Sequence, residues 1–150
     1  MKKIALIVLA AAIVATLVWI FFPTEEKKLR SDIRAIERAV ETESADDIVD
    51  FLDLEYLDTN SMTRDDLVAV LRNFFAEVDS IRVQTSGLEV SIDSTVNGRG
   101  VFARCSLGVR VLARYEGERV LAFGGIVQPS SVRASFRKTE GKYKVYYAEY

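Results

Sequence analysis

Between Val101 and Tyr115 the residues Val101, Ala103, Cys105, Leu107, Val109, Val111, Ala113 and Tyr115 hold odd positions, while Arg104, Ser106, Arg110 and Arg114 hold even ones. A period of two kept up over such a length belongs to a β-strand, because a helix would scatter the same side chains around its circumference. One face of this strand is dry and the other wet. A long strand of that kind twists and bends, and its dry face has to be covered by a second layer.

The neighbouring segments repeat the pattern. Ile81, Val83 and Thr85 alternate with Arg82 and Gln84, yet Leu88, Val90 and Ile92 carry the apolar phase on even numbers. One inserted residue explains the shift, and Ser86-Gly87 is the expected β-bulge, since glycine accepts a positive φ. Asn97-Gly98 is a hairpin signal. Val132, Ala134 and Phe136 against Arg133, Ser135 and Arg137 predict a third strand, and Glu140-Gly141 turns the chain into a fourth, ending YKVYYAEY. Four antiparallel strands are therefore expected after Ser80.

The covering layer lies in the first half. Leu29, Ile33, Ile36 and Val40 recur at helical spacing, with Arg34, Glu37, Arg38 and Glu41 on the opposite side. Ser44 is a natural N-cap with Asp46 and Asp47 behind it, which predicts a short second helix through Ile48, Val49, Phe51 and Leu52. Thr63, followed by Asp65 and Asp66, starts a third helix with Leu67, Leu71, Phe74 and Val78 on one face.

Ahead of these helices runs IALIVLAAAIVATLVWIFF, Ile4 to Phe22, with Thr16 its one polar member. Helical residues rise about 1.5 Å each, so this run matches the hydrocarbon thickness of a bilayer, and Trp19, Phe21 and Phe22 give it an aromatic edge. Lys2 and Lys3 resemble the start of a secretion signal, but the run continues past its alanines into bulky residues instead of ending at a small-residue cleavage site. A retained single-pass anchor over residues 4–22 is expected, after a tail of residues 1–3 and before a linker at 23–28 and one domain at 29–150. The domain is placed on the periplasmic or extracellular side of a bacterial envelope, because long domains cross largely regardless of their charge.

Composition narrows the chemistry. Lys and Arg number 20 against 22 Asp and Glu, a net charge of −2, so a nucleic-acid partner is not indicated. Cys105 is the single cysteine, which rules out an intramolecular disulfide. There is no histidine, which removes His-ligand metal sites and Ser-His or Cys-His nucleophiles. No metal and no cofactor is expected.

The order of elements, together with DDIVDFLDLEYLD, MTRDDLVAVLRNFFAEVDSIRV and the terminal RKTEGKYKVYYAE, resembles the nuclear transport factor 2-like superfamily, the SnoaL-like and cystatin-like cone, over Leu29 to Tyr150. The resemblance implies an α+β fold in which three helices pack on a curved four-stranded antiparallel sheet and enclose a pocket. The superfamily includes ketosteroid isomerases, polyketide cyclases and dehydratases as well as members that only bind or assemble, and fold does not choose among them. The isomerase pattern, a first-helix tyrosine with acids from the pocket wall, is not matched, since this first helix has no tyrosine and the inward strand positions have no acid.

Within such a cone Tyr56, Leu71, Phe74, Cys105 and Val109 are the expected ligand-lining residues, Tyr56 at the pocket mouth and Cys105 as a buried thiol. Asp46, Asp50 and Asp53 are expected on one solvated helical face. Arg104, Arg110, Arg114, Arg133 and Arg137 share outward parity and together form a basic stripe suited to phosphate, or a solvated face neutralised by glutamates. The link VLAFGGIVQPSS, Val120 to Ser131, is apolar for a connection, and Leu121, Phe123 and Ile126 are its candidate partner or membrane patch, with extension of a strand or a dimer surface as the other reading. These features lead to a membrane-tethered, non-catalytic domain that binds a small apolar ligand or an envelope partner protein. The alternative is an isomerase, cyclase or hydrolase of the same superfamily, and a homodimer remains open.

Overall fold

The computed structural model describes residues 11–13, 16, 24–93 and 100–150. Helix α1 (Glu25–Glu41) and the short α2 (Ala45–Val49) lead into strand β1 (Leu52–Asp58), which is followed by α3 (Arg64–Glu77). Five strands complete the chain: β2 (Asp79–Asp93), β3 (Phe102–Tyr115), β4 (Glu118–Phe123), β5 (Ser130–Thr139) and β6 (Lys142–Glu149).

All three predicted helices are present, and their caps are the residues that capping chemistry selects. Thr24, Ser44 and Thr63 each accept a hydrogen bond from a backbone N–H of the first turn, and Thr63 and Asp66 close a reciprocal capping box. Because α1 starts at Glu25, most of the stretch expected to be a linker is its first turn. α1 lays Leu29 and Ile33 against the sheet, where both are buried.

The sheet has six strands, not four, and it is mixed. Its order is β1-β6-β5-β3-β2, with β4 paired to β3 beside β5. β1 runs parallel to β6, while the other pairings are antiparallel. Two strands are additional to those four, and one of them takes up the strand reading of the apolar link. β1 occupies residues expected partly as the end of the second helix, and there the polarity is inverted: Asp53 and Asp58 are buried while Leu54 and Leu57 face out. β4 lies in the apolar segment after Tyr115, joined to β3 by Glu116-Gly117, both residues at positive φ (50° and 84°) as a tight hairpin turn requires. Glu140-Gly141 repeats the turn between β5 and β6.

The predicted bulge is present: the β2–β3 register shifts between Ser86 and Glu89, and Gly87 has φ 61°. Asn97-Gly98 lies outside the described residues. So does nearly all of the expected membrane span, and among the described residues no helix is long and apolar enough to cross a membrane.

Odd positions of β3 and even positions of β5 face the helices. Cys105 lies opposite Ala134, Ala103 opposite Phe136 and Leu107 opposite Val132. Tyr143, Phe136 and Leu29 are fully buried at the centre of this layer, and each contributes about 2 kcal/mol of apolar transfer.

Candidate functional site

The interior side chains expected to line a pocket are mostly core. Tyr56 sits on β1 at 5% exposure and Cys105 on β3 at 6%, both in one cluster with Leu29, Leu52, Phe136 and Val145. Tyr56 is thus inside the domain and not at a mouth, because the segment after α2 is a strand. Leu71 and Val109 flank the cluster half-buried. Phe74 turns aside and tilts against Phe75, ring centres 5.8 Å apart. Burial, with the nearby Asp58 and Tyr150, pushes the Tyr56 phenol above its ordinary range. Burial also pushes the Cys105 thiol up to about 11, against a backbone hydrogen bond with Ala134, which leaves it protonated and unreactive at neutral pH.

Three acids are buried among the described residues, Asp32, Asp53 and Asp58, and each has structural partners. The Asp32 carboxylate accepts from Lys28 Nζ at 2.6 Å and from the backbone N–H of Tyr143 at 2.9 Å. Asp53 accepts from Arg137 Nε at 3.0 Å, Arg137 Nη2 at 2.5 Å and the Glu55 N–H at 2.9 Å. Asp58 accepts from the backbone N–H groups of Asn60 and Met62, both at 2.8 Å, and from the Tyr150 hydroxyl. Burial alone would raise the Asp53 and Asp58 pKa values, but these donors more than offset it and hold both below the ordinary carboxylate range. At the start of α1, Glu25 accepts from the Tyr143 hydroxyl at 2.6 Å and from Lys138 Nζ at 2.7 Å. Asp53 therefore does not share a solvated helical face with Asp46 and Asp50. Among the described residues no group of three or more His, Cys, Asp or Glu could hold a metal ion.

The five outward arginines do not form one stripe. Arg137 is committed to Asp53 and Glu55. Arg110 donates to the carbonyls of Gly125 and Ile126, both at 3.1 Å. Arg114 lies at the far end of β3 with Arg82 and Arg119 beside a smaller depression. Arg104 and Arg133 do come together, on the sheet face turned away from the helices. Register places Ser91, Arg104, Ser135 and Tyr147 in one row across β2, β3, β5 and β6, and Glu89, Ser106, Arg133 and Glu149 in the next. These eight residues line an open trough of about 560 Å³.

The apolar connection divides into strand and loop. Leu121 and Phe123 belong to β4, where Phe123 packs edge-on against Tyr150 with ring centres 6.0 Å apart. Beyond it Ile126 and Val127 stand 85% and 88% exposed. The loop that carries them is fastened by Arg110 and by Gly124 (φ 91°), where a Cβ would meet the Val109 carbonyl oxygen at 2.6 Å.

No family model and no curated protein matches the sequence. Solved structures do resemble the fold. A scytalone dehydratase-like protein of Novosphingobium aromaticivorans superposes with a TM-score of 0.64 at 13% identity, covering 83% of this chain and 81% of that one. A dehydratase-like protein of the NTF2-like family from Streptomyces avermitilis gives 0.61 at 14% identity, covering 83% and 94%. The helical cell shape determining protein Pgp2 of Campylobacter jejuni gives 0.60 at 13% identity, with 78% of this chain matching 37% of that protein. At these identities the likeness establishes the architecture alone: a nuclear transport factor 2-like cone with a curved, mixed sheet.

Proposed function

We propose that this chain is a non-catalytic binding domain, tethered to a membrane by Ile4–Phe22, that holds a protein partner on the loop beyond β4. The observation that carries this reading is the fixed presentation of Ile126 and Val127, 85% and 88% exposed on a loop fastened by Arg110. An apolar pair held in water by a rigid loop has little to gain in the free protein and much to gain in a complex.

Two further features support it. The two dehydratase-like relatives suggest an enzyme, but in this chain Asp32, Asp53 and Asp58 are occupied by hydrogen bonds within the domain, leaving them poorly placed to take a proton from a substrate. Burial of Tyr56 and Cys105 in the core likewise favours an external partner over a small apolar ligand held inside. The loop also lies at the end of β5 opposite Lys138, which pairs with Glu25 at the start of α1. At about 3.3 Å per strand residue, roughly 25 Å separate the loop from the entry of the tether. That distance favours a protein over the lipid of the tethering membrane.

The test is a photo-crosslinking residue at Val127 in the full-length protein in its native membrane. The reading requires a discrete protein adduct that Ile126→Asp abolishes while the fold is retained. Adducts to lipid only, or a protein adduct indifferent to Ile126→Asp, would overturn it.

A further inference from the structure

We infer that the trough on the outer sheet face is a binding site for a compact oxyanion, phosphate or carboxylate, carried on a small hydroxyl-bearing molecule. The arrangement is a checkerboard. Arg104 lies directly opposite Ser135, and Ser106 directly opposite Arg133, so the two arginines stand on one diagonal of the β3–β5 ladder and the two serines on the other. Diagonal neighbours in a sheet are about 7–8 Å apart, somewhat less at Cβ, a separation two guanidinium groups can close over a single tetrahedral or planar anion. The short serines between them leave the space for it and add hydroxyl donors at its floor.

Both arginines can be reached from solvent. Arg104 makes a two-pronged pair with Asp93, both contacts 3.1 Å, and Arg133 a single contact with Glu149 at 3.3 Å, and the side chains of Arg104, Asp93, Arg133 and Glu149 are 66%, 39%, 72% and 41% exposed. Solvent exposure weakens both pairs, the single Arg133 contact more than the two-pronged Arg104 one, so an incoming oxyanion competes for the guanidinium groups. In this they differ from Arg137, whose partner Asp53 is buried.

The rim sets the class of ligand. Glu89 and Glu149 close the two ends of the Arg133 row, one on β2 and one on β6. Four strands at about 4.8 Å spacing put them roughly 14 Å apart. Carboxylates at that separation repel an extended polyanion and leave room for one anionic group at the centre. Ser91 and Tyr147, at the ends of the Arg104 row, offer hydroxyls to the body of the molecule. A sugar monophosphate fits this pattern; a nucleic acid strand does not.

Calorimetry on full-length protein in detergent, at low salt, tests the site with inorganic phosphate, glucose 6-phosphate and glucose as probes. The expected result is millimolar phosphate binding, glucose 6-phosphate at least tenfold tighter, and no heat with glucose. Arg104→Gln combined with Arg133→Gln should weaken both anions at least tenfold while Arg114→Gln leaves them unchanged, and since Arg104 and Arg133 are exposed the fold should survive. Equal binding by the double variant overturns the proposal. So does an absence of anion binding, including the case in which sedimentation shows a second copy of the chain covering this face and Arg133→Glu disperses it.

Discussion

Asp53 on β1 and Arg137 on β5 meet across the intervening strand β6 in a two-pronged ion pair, Nε to Oδ2 at 3.0 Å and Nη2 to Oδ1 at 2.5 Å. The carboxylate side chain is 6% exposed and the arginine 33%. Removing Arg137 would leave Asp53 charged and buried with the Glu55 N–H as its remaining donor among these. Loss of one partner of a fully buried pair costs about 3–5 kcal/mol; with Arg137 one-third exposed, Arg137→Ala should cost about 2 kcal/mol, read from urea unfolding at pH 7.

The same carboxylate predicts a pH dependence. Its folded pKa is depressed, so its contribution is present above the unfolded value of about 3.9 and is lost as pH falls through the folded one. Asp58 behaves alike. Stability should fall steeply below about pH 4, and Asp53→Asn should be less stable at pH 7 yet have a shallower acid limb in a thermal-melt series.

Tyr150→Phe keeps the ring against Phe123 and removes the hydroxyl that Asp58 accepts. A hydrogen bond to a charged group contributes about 1.5–3 kcal/mol. A loss near the lower end, about 1.5 kcal/mol, is expected because the Asn60 and Met62 N–H groups still serve Asp58, and equilibrium unfolding measures it.

Gly124→Ala should disturb the β4–β5 loop, since the residue has φ 91° and a new Cβ would press on the Val109 carbonyl. Strain of this kind costs about 1–3 kcal/mol. Arg110→Gln leaves the backbone unstrained but removes two donors to the loop. Both variants should be cut faster between Gly125 and Pro129 in limited proteolysis, the arginine variant with a nearly unchanged melting temperature.

Cys105 should resist Ellman's reagent at pH 8 in the native protein and react once urea unfolds it. The residue is 6% exposed, and burial raises the thiol pKa to about 11. Prompt native-state reaction would show that the interior is open.

The helices, the bulge and the faces of β3 and β5 were legible in the sequence because each obeys a single local rule: a cap, a glycine, an alternation. β1 was not. Its buried positions include two aspartates and its exposed ones two leucines, so a reading by hydrophobic pattern inverts it. The donors that make this tolerable come from Arg137, far along the chain, from Tyr150 and from local backbone amides. β4 did leave a trace, since Glu116-Gly117 repeats the dipeptide that turns β5 into β6. The division of the arginines could not be read locally. Parity put all five on one face, but which would find an acid, a loop carbonyl or each other depends on strand order.

Glu25 grips Lys138 and the Tyr143 hydroxyl, and about two turns later Asp32 grips the Tyr143 backbone. A pull on the chain ahead of Thr24 therefore reaches the β5–β6 hairpin as well as α1, shared among several bonds. Mechanical load entering at this corner has a direct route into the sheet through these bonds.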